Sequence, residues 1–278
     1  MISLSYNLSP GIKKCLTQID TSRREILLTP TAPARLLELQ WKSSQGNLVS
    51  WASLLPNDKP SSAKLKTALT HVRQVWIGAP MSIAPRAIEP LDAIFGTRLA
   101  TSSDTAKILK YLDSDSFHPV LQAAIAHLHF APSPIAFLVA HMYLCRRGYD
   151  CNGMVCPDGF WPQNHESYAG LLAQSQKAAS ITPWLEFYAQ AAVYQYGLGY
   201  RALLHQSSEI SKGIWTLSDR QKNILVLLDS PEASITNRGV QKRFTISQVT
   251  ASRDLAKLVT LSLIYPHGHG RSVYYTRA

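Results

Sequence analysis

The stretch from Ser234 to Tyr275, SITNRGVQKRFTISQVTASRDLAKLVTLSLIYPHGHGRSVYY, predicts a helix-turn-helix followed by a β-hairpin. Thr236 can cap a first helix that runs to about Phe244, because its hydroxyl can accept from an unpaired first-turn N–H. Ser247 can cap a second helix, whose buried face is predicted from apolar residues at roughly helical spacing: Val249, Leu255, Leu258 and Val259. Two β-prone runs then flank a turn with two glycines. Steeply crossing helices followed by a hairpin form a winged helix.

The polar residues of this stretch favour contact with double-stranded DNA. The N-terminal end of a second helix is the part that enters a major groove, where Arg pairs with guanine and Gln with adenine. Residues of the hairpin can contact phosphates or the minor groove. The predicted DNA-binding residues are Thr236, Arg238, Ser247, Gln248, Thr250, Ser252, Arg253, Lys257, His267, His269 and Arg271. Two alternatives stay open: Arg253 and Asp254 pair with neighbouring charges on a solvated face, or the module binds protein.

The charge of the chain is concentrated towards its C-terminus. The 278 residues carry a net charge of +10, and residues 211–278 hold ten Lys and Arg against four Asp and Glu. The shorter part therefore contributes +6 and residues 1–210 contribute +4. A basic region of this kind is typical of a nucleic-acid-binding module. We predict two domains, an all-α domain at 1–210 and a winged helix at 211–278.

Composition excludes several other classes of protein. No apolar run reaches the length of a membrane span, and the first residues lack the pattern of a signal peptide. The four cysteines are too few for a disulfide framework in a chain of this size, so a reducing cytoplasm is expected. Cys145, Cys151, Cys156 and His165 lack the usual spacing of paired zinc ligands. No metal and no cofactor are predicted.

Residues 1–210 are predicted to be helical, with residues 42–62 loop-like. The most apolar part consists of two helices in a tight hairpin, VLQAAIAHLHF and IAFLVAHMYLCRR, with Pro119 at the first turn of one and Gly148 as the C-cap of the other. His127 and His129 are two residues apart and so point to different faces of one helix. We therefore expect packed or half-exposed histidines and not a metal site.

The chain resembles the bacterial Fic proteins that carry a C-terminal winged helix. The resemblance begins near Ile12 and is strongest from His118 onward, in HPVLQAAIAHLHF, LCRRGYD, WLEFYAQAAVYQ and TNRGVQKRF…SQVTASRDLAKLV…GHGRSVYY. It implies an all-α domain related to enzymes that transfer AMP from ATP to a protein hydroxyl. Their signature is His-Pro-Phe-x-Asp/Glu-Gly-Asn-Gly-Arg, in which the His takes the hydroxyl proton. The acidic residue holds Mg²⁺, and the glycine-rich turn binds phosphates.

The signature of that family is missing here. Between Phe130 and Ile135 the chain has only Ala131-Pro132-Ser133-Pro134, with no acid, no Gly-Asn-Gly and no Arg. His118-Pro119 stands at the start of the preceding helix and is not the catalytic pair. The nearest match to the family's inhibitory motif, Gln45-Gly46-Asn47, has Gln in place of Glu. We therefore expect no enzymatic activity.

The leading hypothesis is a sequence-specific DNA-binding transcriptional regulator, built on a catalytically inactive Fic-like domain. A homodimer is expected because two half-sites supply affinity that one small module lacks. The Fic-like domain would then bind an unknown ligand or protein partner. Two alternatives remain: an AMP-transferase or nucleotide-binding protein with an atypical site, and a winged-helix scaffold that binds protein.

Overall fold

The fold of the chain was established from a computed structural model. It describes residues 5–31, 33–55, 60–77, 82–113, 117–204, 217–228, 233–260, 263–268 and 273–277. The helices are α1 (Pro10–Leu28), α2 (Pro33–Leu54), α3 (Ser62–Trp76), α4 (Glu89–Phe95), α5 (Ser103–Leu112), α6 (Pro119–Phe130), α7 (Ile135–Arg146), α8 (His165–Ser175), α9 (Thr182–Leu204), α10 (Asp219–Leu227), α11 (Asn237–Phe244) and α12 (Gln248–Thr260). The strands are β1 (Ser234–Thr236), β2 (Ile264–His267) and β3 (Tyr274–Arg277). The predicted class, mainly α with a small winged-helix part, is confirmed.

The chain divides into two compact units. The first consists of Met1–Thr31 and Lys42–His205, and the second of Ala32–Trp41 and Gln206–Ala278. The second unit thus takes in a segment from the N-terminal half that the predicted division into 1–210 and 211–278 assigns to the first domain. None of the described helices combines the length and the apolar character needed to cross a membrane.

The prediction of a loop at residues 42–62 is wrong over most of its length. Helix α2 continues to Leu54, and α3 begins at Ser62. Ser, Gly and Asn favour loops in isolation, but Trp51 is fully buried and Leu55 is nearly so. Burial of such large apolar side chains outweighs a difference in helix propensity of less than about 1 kcal/mol per residue.

Helices α6 and α7 form the centre of the first unit. Ten of the twelve residues of α6 and all twelve of α7 are buried, as expected for helices that are apolar on all sides. His118 caps α6, since its Nδ1 accepts from the Val120 amide at 3.2 Å. The predicted hairpin, with Pro119 in the first turn of α6, is confirmed; the cap by His118 was not predicted.

His127 lies at the middle of an aromatic cluster. Its ring is within 4.9–6.5 Å of five others, those of Phe137, Trp161, Tyr168, Trp184 and Tyr188. Its Nε2 pairs with the Tyr168 hydroxyl at 2.8 Å, and burial lowers the pKa of His127 to about 3. His127 is therefore a neutral core residue, while His129 on the next face is half-buried.

The second unit has the element order of a winged helix. Helix α10 is followed by β1, α11, α12, β2 and β3, and the strands pair antiparallel in the order β1-β3-β2. The predicted hairpin is confirmed by the pairing of Ile264 with Arg277 and of His267 with Tyr274. Strand β1 was not predicted, because three residues are too few to show an alternating pattern.

The core of the second unit lies between its helices and its sheet. It includes Ile224 and Leu225 of α10, Val240 of α11, and three residues of α12: Ala251, Leu255 and Leu258. Leu37 of α2 belongs to the same cluster. The prediction that Val249 lies on the buried face is wrong, since its side chain is 60% exposed. Val249 is two residues before Ala251, about 200° around the helix, and so lies on the opposite face.

Candidate nucleic-acid interface

The two helices of the helix-turn-helix are held by local caps. The Thr236 hydroxyl accepts from the Gly239 amide at 3.1 Å at the start of α11. The Ser247 hydroxyl accepts from the Thr250 amide at 3.2 Å at the start of α12. Between the helices, Thr245 adopts φ +50°, a left-handed conformation that ends α11. Both predicted caps are confirmed, and both hydroxyls are committed to the backbone.

A buried carboxylate on α12 anchors that helix to α10. Asp254 is 5% exposed and accepts from Arg220 Nε and from Gln221 Nε2, each at 2.6 Å. Gln221 in turn completes a capping box with Ser218 at the start of α10. The orientation of α12 is therefore set by a polar lock as well as by the apolar core.

The opposite face of α12 is exposed along its whole length. Its exposed residues recur at one helical turn: Gln248, Val249, Ser252, Arg253, Ala256 and Thr260. Arg253 makes no hydrogen bond or ion pair to any other residue in the described part of the chain. Its neighbour Asp254 points into the unit and pairs with Arg220. One alternative was that Arg253 and Asp254 pair with neighbouring charges on a solvated face. Asp254 does pair with a charge, but it is buried, so that alternative does not hold for Asp254.

The structure brings most of the predicted DNA-binding residues onto α11 and α12. Arg238 is exposed on α11, and Ser252 accepts from the Asn237 amide group at 2.8 Å across the two helices. Thr250 is half-buried and shares a hydrogen bond with the Ser247 hydroxyl. Lys257 is half-buried on the last turns of α12.

Of the wing residues predicted to bind DNA, His267 lies in the part of the chain that the structure describes. His267 lies on β2, where its Nε2 pairs with the Thr276 hydroxyl at 2.8 Å and its ring stacks on Tyr274 at 4.9 Å. These contacts hold the side chain against the sheet. His269 and Arg271 lie outside the described residues.

Three exposed side chains of α11 and α12 were not among the predicted DNA-binding residues. Lys242 and Arg243 are exposed on the last turn of α11, and Val249 is exposed at the start of α12. The two cations were visible in the sequence, and their position after the Thr236 cap was the available signal. An apolar side chain at this end of α12 suits contact with a thymine methyl group.

In the first unit, the turn between α6 and α7 is short and closed. Ala131 to Pro134 connect the helices, and Gln176 donates its amide to the carbonyls of Leu128 and Ala131 at 3.3 and 3.0 Å. Beside the turn lies a mostly apolar pocket of about 290 Å³, lined among others by Pro132, Phe137 and Tyr168. The turn residues offer no acid and no Arg to a nucleotide.

His118 is not part of that turn. Its Nε2 lies 3.2 Å from Asp20 Oδ1, and its Nδ1 serves as the cap of α6. Burial lowers the pKa of His118, and the nearby Asp20 carboxylate opposes that change. Both ring nitrogens therefore have partners within the chain.

Comparisons with known proteins gave one kind of match. No family model matches the chain, and no curated protein does. Among solved structures, the chain is similar to a Fic family protein from Desulfovibrio desulfuricans G20, with 12% identity and a TM-score of 0.43. That match covers 99% of this chain and 98% of the other.

Proposed function

We propose that this protein is a sequence-specific DNA-binding transcriptional regulator, whose second unit places α12 in the major groove. The first unit would be a Fic-like body without transfer activity, which binds a ligand or protein partner and brings two copies of the chain together. A dimer would place two copies of α12 on two half-sites of an operator.

One observation carries this proposal, the contrast between Arg253 and Asp254. The acidic residue is buried and neutralised inside the unit, so the face of α12 keeps a cation with no partner among the described residues. Gln248 and Ser252 lie on that same face. In DNA-binding helix-turn-helix proteins, Arg and polar side chains in the N-terminal half of the recognition helix contact base edges in the major groove.

The basic side chains of α11 support the same interface. Arg238, Lys242 and Arg243 are exposed, and the structure describes no hydrogen bond or ion pair for any of them. Unpaired cations beside a recognition helix suit the phosphate backbone, because neutralising phosphates releases condensed counterions. They would position α12, and the side chains of α12 would supply sequence selection.

We expect Arg253→Ala to weaken binding to the selected DNA sequence by about 1–3 kcal/mol, or roughly 5- to 150-fold. The operator is first obtained by selecting full-length protein against a random duplex pool. Binding of the wild type and the variant is then titrated on selected and scrambled duplexes at several salt concentrations. Arg253→Lys is the matched variant, since it keeps the charge and loses the two-pronged donor.

The comparison separates three outcomes. If Arg253 contacts a base, the loss is confined to the selected duplex and Lys restores little of it. An equal loss on both duplexes, restored by Lys, would assign Arg253 to a phosphate. Selection that enriches no sequence would contradict the proposal and favour the protein-binding alternative.

We expect no AMP transfer from the first unit. Incubation of the full-length chain with labelled ATP and Mg²⁺ should label neither the chain nor added proteins, because the turn between α6 and α7 lacks an acid, a phosphate-binding glycine turn and an Arg. His118→Ala is the companion variant. Labelling that His118→Ala abolishes would overturn the interpretation of His118-Pro119 as a non-catalytic pair and restore the enzyme alternative.

A further inference from the structure

Three chemically different metal-binding side chains meet at the C-terminal end of α7. His141 and Cys145 are four residues apart and therefore lie on one face of the helix, one turn apart. Asp150 follows on the turn after the helix. One donor atom from each of the three lies within 4.8 Å of the other two, and Cys145 Sγ is 3.5 Å from Asp150 Oδ2. All three residues are buried.

His141 is the unusual member of this cluster. It is 1% exposed, and neither of its ring nitrogens has a hydrogen-bond partner among the described residues. Buried polar groups are nearly always paired, and an orphaned one calls for an explanation such as a missing ion. A neutral imidazole with two unpartnered ring nitrogens has a lone pair to offer a metal.

We propose that His141, Cys145 and Asp150 bind a zinc ion. Imidazole nitrogen, thiolate sulfur and carboxylate oxygen are the three ligand types that zinc takes in proteins. Tetrahedral zinc, at about 2.0–2.3 Å from each ligand, separates the ligand atoms by about 3.3–3.8 Å. The Cys145–Asp150 separation already lies in that range, and the remaining separations require small side-chain adjustments.

The charges of the site are compatible with a divalent cation. Zinc displaces the thiol proton of Cys145 to solvent, and one thiolate with one carboxylate then neutralises the ion. The positive charge of Arg73 acts on both His141 and Cys145. Its guanidinium donates to the Ser44 hydroxyl and to the Gly153 carbonyl.

The ion would have a structural role. Asp150 also accepts from the Gly153 amide at 2.9 Å, in a turn where Cys151, Asn152 and Gly153 are all left-handed. Zinc would link this turn to α7 and give a ring nitrogen of His141 the partner that it lacks. Loss of the zinc ion would reduce the stability of the first unit and would not change the contacts with DNA.

The test uses the full-length chain, unfolded and then refolded either with an equivalent of Zn²⁺ or with a chelator. After gel filtration, metal content is measured by plasma mass spectrometry. We expect close to stoichiometric zinc in the wild type and at least a tenfold lower retention in Cys145→Ser and in His141→Gln. Cys15→Ser is the matched control, because Cys15 is a half-buried free thiol outside the cluster, and it should retain zinc fully.

A second measurement does not depend on the folding of the variants. Refolding of the wild type with Co²⁺ should give the absorption bands of a thiolate-bound cobalt ion. Wild-type protein that refolds without retaining zinc would overturn the proposal. Retention that Cys145→Ser and His141→Gln leave unchanged, or a cobalt spectrum without thiolate bands, would do so as well, because the ion would then be held elsewhere.

Discussion

Replacing Asp158 by alanine is expected to reduce the free energy of unfolding of the first unit by about 2–4 kcal/mol. Asp158 is 1% exposed and accepts from the indole N–H of Trp51 at 2.6 Å and of Trp161 at 2.9 Å. Both tryptophans are fully buried. Alanine would leave two indole donors without an acceptor, and each such orphan costs about 1–3 kcal/mol.

The pH dependence of this residue provides a sharper measurement. Desolvation raises the pKa of Asp158 to about 6, and the hydrogen bonds from Trp161, Trp51 and Cys156 oppose that increase. Between pH 4 and pH 6 the unfolded chain has released this proton while the folded chain still holds it. Stability therefore falls as the pH rises through this window, by about 2–3 kcal/mol at most.

Asp158→Asn removes that titration and keeps the shape of the side chain. In the variant only one indole keeps an acceptor, so the variant should be less stable than the wild type near pH 4. This difference in stability should become smaller towards pH 7, because the wild type loses stability as Asp158 releases its proton. The difference in stability is measured by urea unfolding at pH 4, 5, 6 and 7, with hydrogen exchange of peptides from the first unit as the monitor. The exposed Glu25→Gln is the control. A constant difference across the range would contradict a raised pKa at Asp158.

The sequence predicted the helix-turn-helix well because its signals are local. Each of these signals depends on residues only a few positions away: the caps at Thr236 and Ser247, and the glycines of the turn. The structure shows both caps and the pairing of the two hairpin strands. The loop predicted at residues 42–62 failed for the opposite reason. The burial that keeps α2 helical comes from distant contacts, such as Trp51 with Asp158, which are 107 residues apart.

The candidate sites show the same division. That Asp254 is buried depends on Arg220 and Gln221, more than 30 residues earlier, so the unpaired state of Arg253 could not be predicted from its neighbours. The cluster of His141, Cys145 and Asp150 was also missed. His141 and Cys145 stand at helical spacing, but the sequence reasoning grouped Cys145 with Cys151, Cys156 and His165. His165 is exposed on α8, and those four do not converge.

Asp254→Ala is expected to destabilise the second unit by about 2–4 kcal/mol. It leaves the Gln221 amide and the Arg220 guanidinium without their acceptor. Breaking a fully buried pair costs about 3–5 kcal/mol, and we expect less here because the Arg220 side chain is 33% exposed. Hydrogen exchange of peptides from α10 and α12 in the full-length chain measures the loss. Asp219→Ala is the control, since that carboxylate is 95% exposed.

The adjacent residues Arg253 and Asp254 should therefore respond in opposite ways. Arg253→Ala should leave hydrogen exchange in α12 within about 0.5 kcal/mol of the wild type, as for a surface residue, while DNA binding falls. Asp254→Ala should raise exchange throughout α10 and α12, and its DNA binding should recover at low temperature, where the folded fraction is restored. If Asp254→Ala left exchange unchanged, the polar lock would not orient α12. Burial of Asp254 would then not be what leaves Arg253 available for DNA.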